Sequence, residues 1–130
     1  MLAAVPSKQP MVPDPGAAGA TEQHIKAGRI VPGMTFSQKV WAVTARIPAG
    51  RVATYRQVAA ALGTKGYRAV GSALNRNPYA PAVPCHRVVG ADGSLTGFAG
   101  GLDKKRQLLA REGVRLRPDG RVDLGTPVEL

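Results

Sequence analysis

The only cysteine of this 130-residue chain stands next to one of its two histidines, and the pair has the residue types that nucleophilic chemistry needs. Cys85 and His86 lie in the segment Pro-Cys-His-Arg-Val, which runs from Pro84 to Val88. A thiol is mostly protonated at neutral pH, so a nucleophilic cysteine needs a base or a lowered pKa. Pro84 fixes its own φ and favours an extended Val83, which predicts a stiff approach to the thiol. The alternative is that a lone cysteine is a small buried apolar residue.

Length and composition predict one modest domain without a cofactor. A hydrophobic content of 44% suits a single core. The chain lacks a long apolar run and a secretory start, so we expect a cytoplasmic protein with no membrane contact. One cysteine excludes an internal disulfide and a zinc site of several cysteines. The segment Gly97 to Gly101 is rich in glycine but has neither the dinucleotide fingerprint nor the P-loop, so we expect no nucleotide cofactor and no metal.

The charge balance points to a polyanionic partner. The chain has 18 Lys and Arg against 8 Asp and Glu, which gives a net charge of +10. Nine of these ten charges belong to residues 34–130, so the excess lies outside the N-terminal segment. Nucleic acid is the partner that such a domain favours. The alternative is a basic surface that serves only solubility.

The chain divides into a predicted disordered segment, residues 1–34, and a predicted folded domain, residues 35–130. The first segment is rich in Pro, Ala and Gly and has little periodic apolar pattern, apart from a helical turn near Glu22 to Ala27. Within the second, Thr35 and Thr54 are predicted N-caps of the first two helices.

The domain is predicted to be mainly α with short β elements, a winged-helix-like helix-turn-helix domain. A helix from Tyr55 to Leu62 and a helix from Tyr67 to Arg76 flank a glycine-containing turn. A last helix spans Leu102 to Arg111. Its predicted inward residues are Leu102, Leu108 and Leu109, and its predicted outward residues are Lys104, Lys105, Arg106 and Arg111. Val88-Val89 predicts a strand before a turn at Asp92-Gly93, and the residues after Gly113 predict two alternating strands.

The second helix of the helix-turn-helix pattern has a composition that suits DNA. Its small residues leave it thin enough to approach a groove closely, which makes minor-groove docking an alternative to the usual major-groove position. The alternative without DNA is a helix whose small residues allow tight packing. The candidate DNA-binding residues are Lys65, Arg68, Ala69, Gly71 and Ser72, together with Tyr55.

Three segments together carry a family resemblance. They are Pro84 to Val89, Gly97 to Leu102, and Leu108 to Gly113. The region from Thr35 to Val114 resembles, in one register, the C-terminal domain of the O6-alkylguanine-DNA alkyltransferases, the methylated-DNA–protein-cysteine methyltransferases. The resemblance implies DNA repair in which the protein binds duplex DNA and flips out an O6-alkylguanine. The alkyl group then passes irreversibly to Cys85 in a single turnover.

The same resemblance implies roles for individual residues. His86 deprotonates Cys85 through a water, and Glu112 orients the imidazole. This pairing also gives Glu112 a partner at the C-terminal end of the last helix, where the helix dipole disfavours a carboxylate. An intervening water is expected because adjacent side chains of an extended segment point to opposite sides. Tyr55 donates near the flipped base, Arg68 fills the vacated stack, and Asn77 braces the cysteine loop. The implied pocket residues are Val88, through its carbonyl, with Phe98, Ala99 and Gly100.

Three other functions stay open from the sequence. Alkyltransferase-like proteins, which typically lack the cysteine, bind alkylguanine and recruit nucleotide excision repair, and this chain has their size. An ordinary helix-turn-helix regulator would bind duplex DNA regardless of alkylation. A Cys-His hydrolase would turn over, although no oxyanion pattern supports it. We expect a monomer whose partner is double-stranded DNA containing O6-alkylguanine.

Overall fold

A computed structural model describes residues 15–96, 98, 101–125 and 128–130, with side chains from residue 21 onward. It confirms a mainly helical fold with short strands. The elements are α1 (Pro15–Lys26), α2 (Phe36–Thr44), β1 (Ala53–Thr54), α3 (Tyr55–Ala61), α4 (Tyr67–Asn75), a 3₁₀ turn (Cys85–Arg87), β2 (Val88–Val89) and α5 (Leu102–Arg111). In this described part of the chain, no helix is long and apolar enough to cross a membrane.

Local sequence sets the starts of α2 and α3. Thr35 accepts a hydrogen bond from the backbone N–H of Gln38, and the Gln38 side chain accepts one from the Thr35 N–H. Thr54 and Gln57 repeat this arrangement at the start of α3. Each capping box satisfies two N–H groups that the helix itself leaves unpaired. The two predicted N-caps are therefore confirmed.

The N-terminal segment is ordered where the structure describes it. Ile25 on α1 is fully buried and clusters with Met34 and Val83, and α1 packs against α2. Arg46 donates to the Gly28 carbonyl at 2.9 Å. The expectation of disorder over residues 1–34 is therefore wrong for residues 15–34. The apolar residues here are too sparse to form a pattern, but each fills a space made by distant parts of the chain.

The main core lies between α2, α3 and α4. Val40 and Val43 of α2 pack against Val58 of α3 and against Val70 and Leu74 of α4. The turn between α3 and α4 contains Gly63, whose positive φ of 69° suits a residue without a side chain. The predicted helix-turn-helix pair is thus held against α2 and presents the opposite face of α4 to solvent.

The two strands pair in parallel, with Ala53 opposite Val88 and Thr54 opposite Val89. The sequence predicted β2 but not its partner. Because the strands run in parallel, the start of α3, which follows β1, and the 3₁₀ turn, which precedes β2, lie at opposite ends of this short ladder. Tyr55 and Cys85 both pack against the main core.

A smaller core supports the far end of the domain, where Val89, Leu109 and Val122 pack together. The two strands predicted after Gly113 are reduced to a single antiparallel bridge between Leu116 and Val122. The turn at Asp92-Gly93 is present as a tight loop. Gly93 has a φ of 85°, and a side chain there would collide with the Val122 carbonyl.

Candidate active site

Cys85 is the first residue of the 3₁₀ turn and faces a cavity of about 440 Å³. Its thiol is partly exposed, and the cavity wall is mostly apolar. The residues that line the cavity with Cys85 are Leu74, Asn75, Asn77, Ala80, Pro81, Phe98, Lys104 and Leu108. The predicted extended geometry at Cys85-His86 is wrong, since the chain turns here. A 3₁₀ turn has about three residues per turn, so neighbouring side chains still point in different directions.

His86 lies behind the cysteine and is only 3% exposed. Its Nε2 is 3.1 Å from Oε2 of Glu112. Burial lowers the pKa of His86, and the hydrogen bond and charge of Glu112 oppose this shift. The imidazole is therefore neutral at neutral pH. Because the Glu112 carboxylate accepts a hydrogen bond, we assign the imidazole proton of His86 to Nε2. The other ring nitrogen, Nδ1, is then free to accept a proton.

Glu112 is held by a second residue that sequence reasoning missed. Arg87 donates from Nε to Oε1 at 2.9 Å and from Nη2 to Oε2 at 2.6 Å. The same guanidinium donates from Nη1 to the Ile47 carbonyl at 2.6 Å. The hydrogen bond from Arg87 is the main cause of the lowered pKa of Glu112. The sequence did contain a signal for this role. Arg87 comes directly after the Cys-His pair, and its positive charge could compensate the Glu112 carboxylate at the end of α5.

Asn77 ties the end of α4 to the segment before the cysteine. Its Nδ2 donates to the Val83 carbonyl at 2.9 Å, and its Oδ1 accepts from the Tyr79 N–H at 2.9 Å. Tyr79 packs edge-on against Trp41, with ring centroids 5.8 Å apart. These contacts fix the loop from Asn77 to Val83, which forms one wall of the cavity.

Tyr55 and Lys105 share one acceptor next to the cavity. The Tyr55 hydroxyl donates to the Thr96 carbonyl at 3.0 Å, and Lys105 Nζ donates to the same oxygen at 2.8 Å. The prediction that Lys105 points outward is wrong, since the side chain is fully buried. Leu102, predicted to point inward, is 44% exposed. The loop that carries Thr96 packs over α5 and covers a helix face that the charge pattern assigned to solvent.

The exposed face of α4 presents the predicted DNA-binding residues. Arg68, Ala69 and Ser72 of α4 are exposed, as is Lys65 in the turn before it, and a Cβ atom at Gly71 would lie 3.9 Å from the Tyr55 ring. Arg68 and Gly71 line a shallow depression with Tyr55, Tyr67 and Thr96. Thr96 lines this depression and Phe98 lines the cavity that holds Cys85, so residues two apart in sequence border the two sites.

The predicted pocket residues have different outcomes. Phe98 lines the cavity. The Val88 side chain is fully buried in β2, so only its backbone is available to a ligand. Ala99 and Gly100 lie outside the described residues. No group of three or more metal-ligating side chains occurs within the parts of the chain that the structure covers.

Residues 35–114 match the family model described as 6-O-methylguanine DNA methyltransferase, DNA binding domain. The chain belongs to this family. The matched region includes every candidate site residue named above, from Tyr55 to Glu112. The family resemblance inferred from the sequence is therefore confirmed, although the comparison does not assign a role to any single residue.

Curated relatives of this chain include proteins named methylated-DNA–protein-cysteine methyltransferase. The protein from Methanosarcina barkeri is 50% identical over 86 residues, which are 65% of this chain and 54% of the relative. The protein from Mycobacterium tuberculosis H37Rv is 42% identical over 126 residues, 88% of this chain and 76% of the relative. The chain thus spans about half the length of the archaeal methyltransferase.

Solved structures that resemble this chain include complexes with DNA. Mycobacterium tuberculosis OGT in complex with DNA has a TM-score of 0.59 and 41% identity, over 77% of this chain and 70% of that one. S. pombe Atl1, in complex with damaged DNA containing O6-carboxymethylguanine, has a TM-score of 0.58 and 30% identity, over 69% of this chain and 88% of that one. These neighbours share the helix-turn-helix fold described above.

Proposed function

We propose that this protein repairs O6-alkylguanine in duplex DNA by transferring the alkyl group irreversibly to Cys85. One observation carries the proposal. Cys85 opens onto a mostly apolar cavity, and the next residue, the buried His86, is hydrogen-bonded to the partly buried carboxylate of Glu112. A nucleophile, a base and an orienting carboxylate are the parts that thiol alkylation needs.

The bond changes follow from this geometry. The thiol proton passes through a water to Nδ1 of His86, and the ionised Glu112 stabilises the resulting imidazolium. The Cys85 sulfur then attacks the alkyl carbon, the bond from that carbon to O6 breaks, and its electron pair stays with guanine. The described residues contain no direct hydrogen bond between Cys85 and His86, which supports a bridging water. The thioether has no route back to a thiol, so each molecule acts once.

The leaving guanine needs a proton or hydrogen bond as negative charge develops on it. Tyr55 is suited to donate, because it lines the depression on the exposed face of α4 and its hydroxyl is bonded to Thr96, two residues before Phe98 of the cavity wall. When the hydroxyl turns toward a base, the Thr96 carbonyl keeps its hydrogen bond from Lys105. The tyrosine can therefore leave its resting partner while the Thr96 carbonyl keeps one hydrogen bond.

A base inside a duplex is out of reach of the thiol, so the nucleotide must flip out of the stack. Arg68 supports this step, because it is exposed at the start of α4 and lines the depression next to Tyr55. The small residues of α4 let the backbone approach a groove closely. We propose that Arg68 fills the vacated stack while Lys65, Ala69, Gly71 and Ser72 face the DNA.

The test is to mix the full chain with a duplex that carries a single O6-methylguanine and to measure the intact and peptide masses. We expect a gain of one CH₂ group on the peptide containing Cys85, and none with an undamaged duplex of the same sequence. Tight binding of the damaged duplex without an adduct would instead identify a lesion sensor. Equal binding of both duplexes would identify a helix-turn-helix regulator. Repeated reaction of many substrate molecules by each protein molecule would identify a Cys-His hydrolase.

The sensor is the second candidate because S. pombe Atl1, which binds damaged DNA, matches with 88% of its length. Under that reading the protein would mark the lesion for nucleotide excision repair. The thiol that lines the cavity favours transfer over sensing. The predicted cytoplasmic, nucleoid-associated location belongs to this proposal, since the substrate would be chromosomal DNA.

A further inference from the structure

The helix α1 lies outside residues 35–114, the region that matches the family model. It is nevertheless attached to the matched domain at two points. Ile25 is fully buried in a small cluster that includes Val83, and α1 packs along α2. Just after the helix ends, the carbonyl of Gly28 accepts a hydrogen bond from Arg46 Nε at 2.9 Å. These contacts make the N-terminal helix part of the same packed structure as the site.

Val83 is the residue through which α1 is connected to the cysteine. Its fully buried side chain lies in the cluster with Ile25, while its backbone makes hydrogen bonds within the segment that leads to the 3₁₀ turn. The Val83 N–H donates to the Tyr79 carbonyl at 3.0 Å. The Val83 carbonyl accepts from Asn77 Nδ2 and from the Cys85 N–H, each at 2.9 Å. One residue therefore connects the N-terminal helix to the cavity wall and to the nucleophile.

The link from Val83 to Cys85 is short and stiff. The hydrogen bond between them closes a three-residue turn around Pro84, whose φ of −83° and ψ of 69° are those of an inverse γ-turn. The proline ring also restricts the φ of the residue between them. A displacement of the Val83 backbone is therefore passed on to the thiol, because the turn has little freedom to absorb it.

Tyr79 gives α1 a second contact with the same loop. Its ring packs against the cluster that contains Ile25, and Lys26 Nζ lies 5.7 Å from the ring centroid. A cation over an aromatic ring contributes little when it is exposed to water, as Lys26 is. Ile25 carries the larger share of the contact, because its whole side chain is removed from water.

We propose that Ile25 is a positioning residue for alkyl transfer, which holds the thiol of Cys85 in place through Val83. The inference rests on the proposed function in taking Cys85 as the nucleophile. Covalent chemistry is sensitive to the placement of the reacting atoms, and a shift of about 1 Å can cost on the order of 10²-fold in rate. The N-terminal helix thus contributes to the reaction, although the described residues that line the cavity all belong to the matched domain.

The test compares Ile25→Ala with Val122→Ala in the full chain. Both substitutions remove buried apolar atoms, but Val122 belongs to the smaller core and not to the cluster that contains Val83. Hydrogen exchange is measured by NMR without DNA. We expect the Val83 and Cys85 amides to exchange several-fold faster in Ile25→Ala, because the loop loses its support and opens locally. In Val122→Ala these amides should change no more than the rest of the domain.

The single-turnover rate of alkyl transfer is then measured at saturating O6-methylguanine duplex, at a temperature where thermal melts show every variant to be folded. We expect Ile25→Ala to slow transfer roughly ten-fold. Its DNA affinity should be unchanged, because the exposed face of α4 is not altered. Val122→Ala should keep both the rate and the affinity, since lower stability alone does not slow molecules that are folded. Ile25→Leu should restore most of the rate, because it refills the cluster with a side chain of the same volume.

Equal exchange of the Val83 and Cys85 amides in the two alanine variants overturns the proposal, and so does an unchanged transfer rate in Ile25→Ala. If Ile25→Ala does not fold, Ile25→Val takes its place, because it removes a single methylene group, and the same changes are expected at smaller size. Failure of the unaltered protein to transfer the alkyl group would refute the proposed function alone. The exchange measurement uses no DNA, so it still decides whether α1 holds the cysteine turn.

Discussion

The surroundings of Cys85 and the exposed face of α4 use charge in opposite ways. Behind the cysteine, Arg87, Glu112 and His86 are largely buried, and the carboxylate accepts from both of the others. On α4, Arg68 is exposed and makes no hydrogen bond or ion pair with any described residue. Near Cys85 the charged groups pair with one another inside the protein. On α4 the guanidinium of Arg68 is available to a binding partner outside it.

This difference separates chemistry from recognition. In a buried network each polar group depends on its neighbours, so one substitution disturbs several groups together. On an exposed surface each cation acts almost alone and its effect is screened by salt. Changes in the first region should therefore alter the rate of transfer, and changes in the second should alter DNA affinity.

The largest effect is expected from Cys85→Ala. The substitution removes the nucleophile and leaves the basic surface of α4 intact, so alkyl transfer should fall below detection while binding of the O6-methylguanine duplex is retained. Transfer is measured as adduct mass and binding by a gel or fluorescence titration. A parallel loss of binding in a folded variant would mean that the two regions are not separable.

Glu112→Gln should have the next largest effect, a loss of about 10²-fold in the single-turnover rate, in line with the usual contribution of acid–base groups. The neutral amide cannot stabilise the imidazolium of His86, and it leaves the largely buried Arg87 guanidinium without a carboxylate. DNA affinity should change little. Glu129→Gln makes the same charge change at an exposed position and is the control for the change in net charge. An equal loss of single-turnover rate in that variant would argue against the relay.

Arg68→Ala should act on binding, with a loss of about 1 to 3 kcal/mol for the damaged duplex. The rate of transfer at saturating DNA should fall less than in the Glu112 variant, because the thiol and its base are untouched. Arg117→Ala removes the same charge from the turn before Val122 and should cost less. A larger loss for Arg117 would place the DNA on a different face from the one proposed.

Features encoded by neighbouring residues could be predicted from the sequence. Thr35 and Thr54 cap their helices through side-chain contacts three residues away, so residue type alone identifies them. The bounds Leu102–Arg111 of α5 were also predicted, because Gly101 and Gly113 flank an amphipathic pattern. In the candidate site, the Cys-His pair and the need of Glu112 for a partner were visible for the same reason.

Features that depend on distant contacts could not be predicted. Lys105 looks like a surface residue in a run of basic side chains, but it is fully buried and donates to the Thr96 carbonyl nine residues away. Ile25 and Met34 belong to no periodic apolar pattern in the sequence, because they pack against Val83, which lies far along the chain. The role of Arg87 needed the spatial meeting of the 3₁₀ turn with the end of α5, which a linear pattern does not contain.

The smallest predicted effect is a loss of stability in mild acid, and it should come from the buried network. His86 has a folded pKa below its usual 6.5, so the unfolded chain binds the proton more tightly and stability falls as the pH drops below 6.5. Glu112 has a folded pKa below its usual 4.5, so its contribution is present above that value and is lost as the pH falls through the lowered pKa.

Thermal melts from pH 7 to pH 3.5 check this prediction. The melting temperature should decline in two stages, first as His86 gains a proton in the unfolded state and then as Glu112 is protonated in the folded state. Glu112→Gln should lose the second stage, because its amide does not titrate. Arg68→Ala should keep both stages, because the exposed face of α4 has no group that titrates in this range. Identical curves for both variants would mean that acid acts elsewhere, and the contrast between a coupled interior and an independent surface would fail for stability even if it held for catalysis.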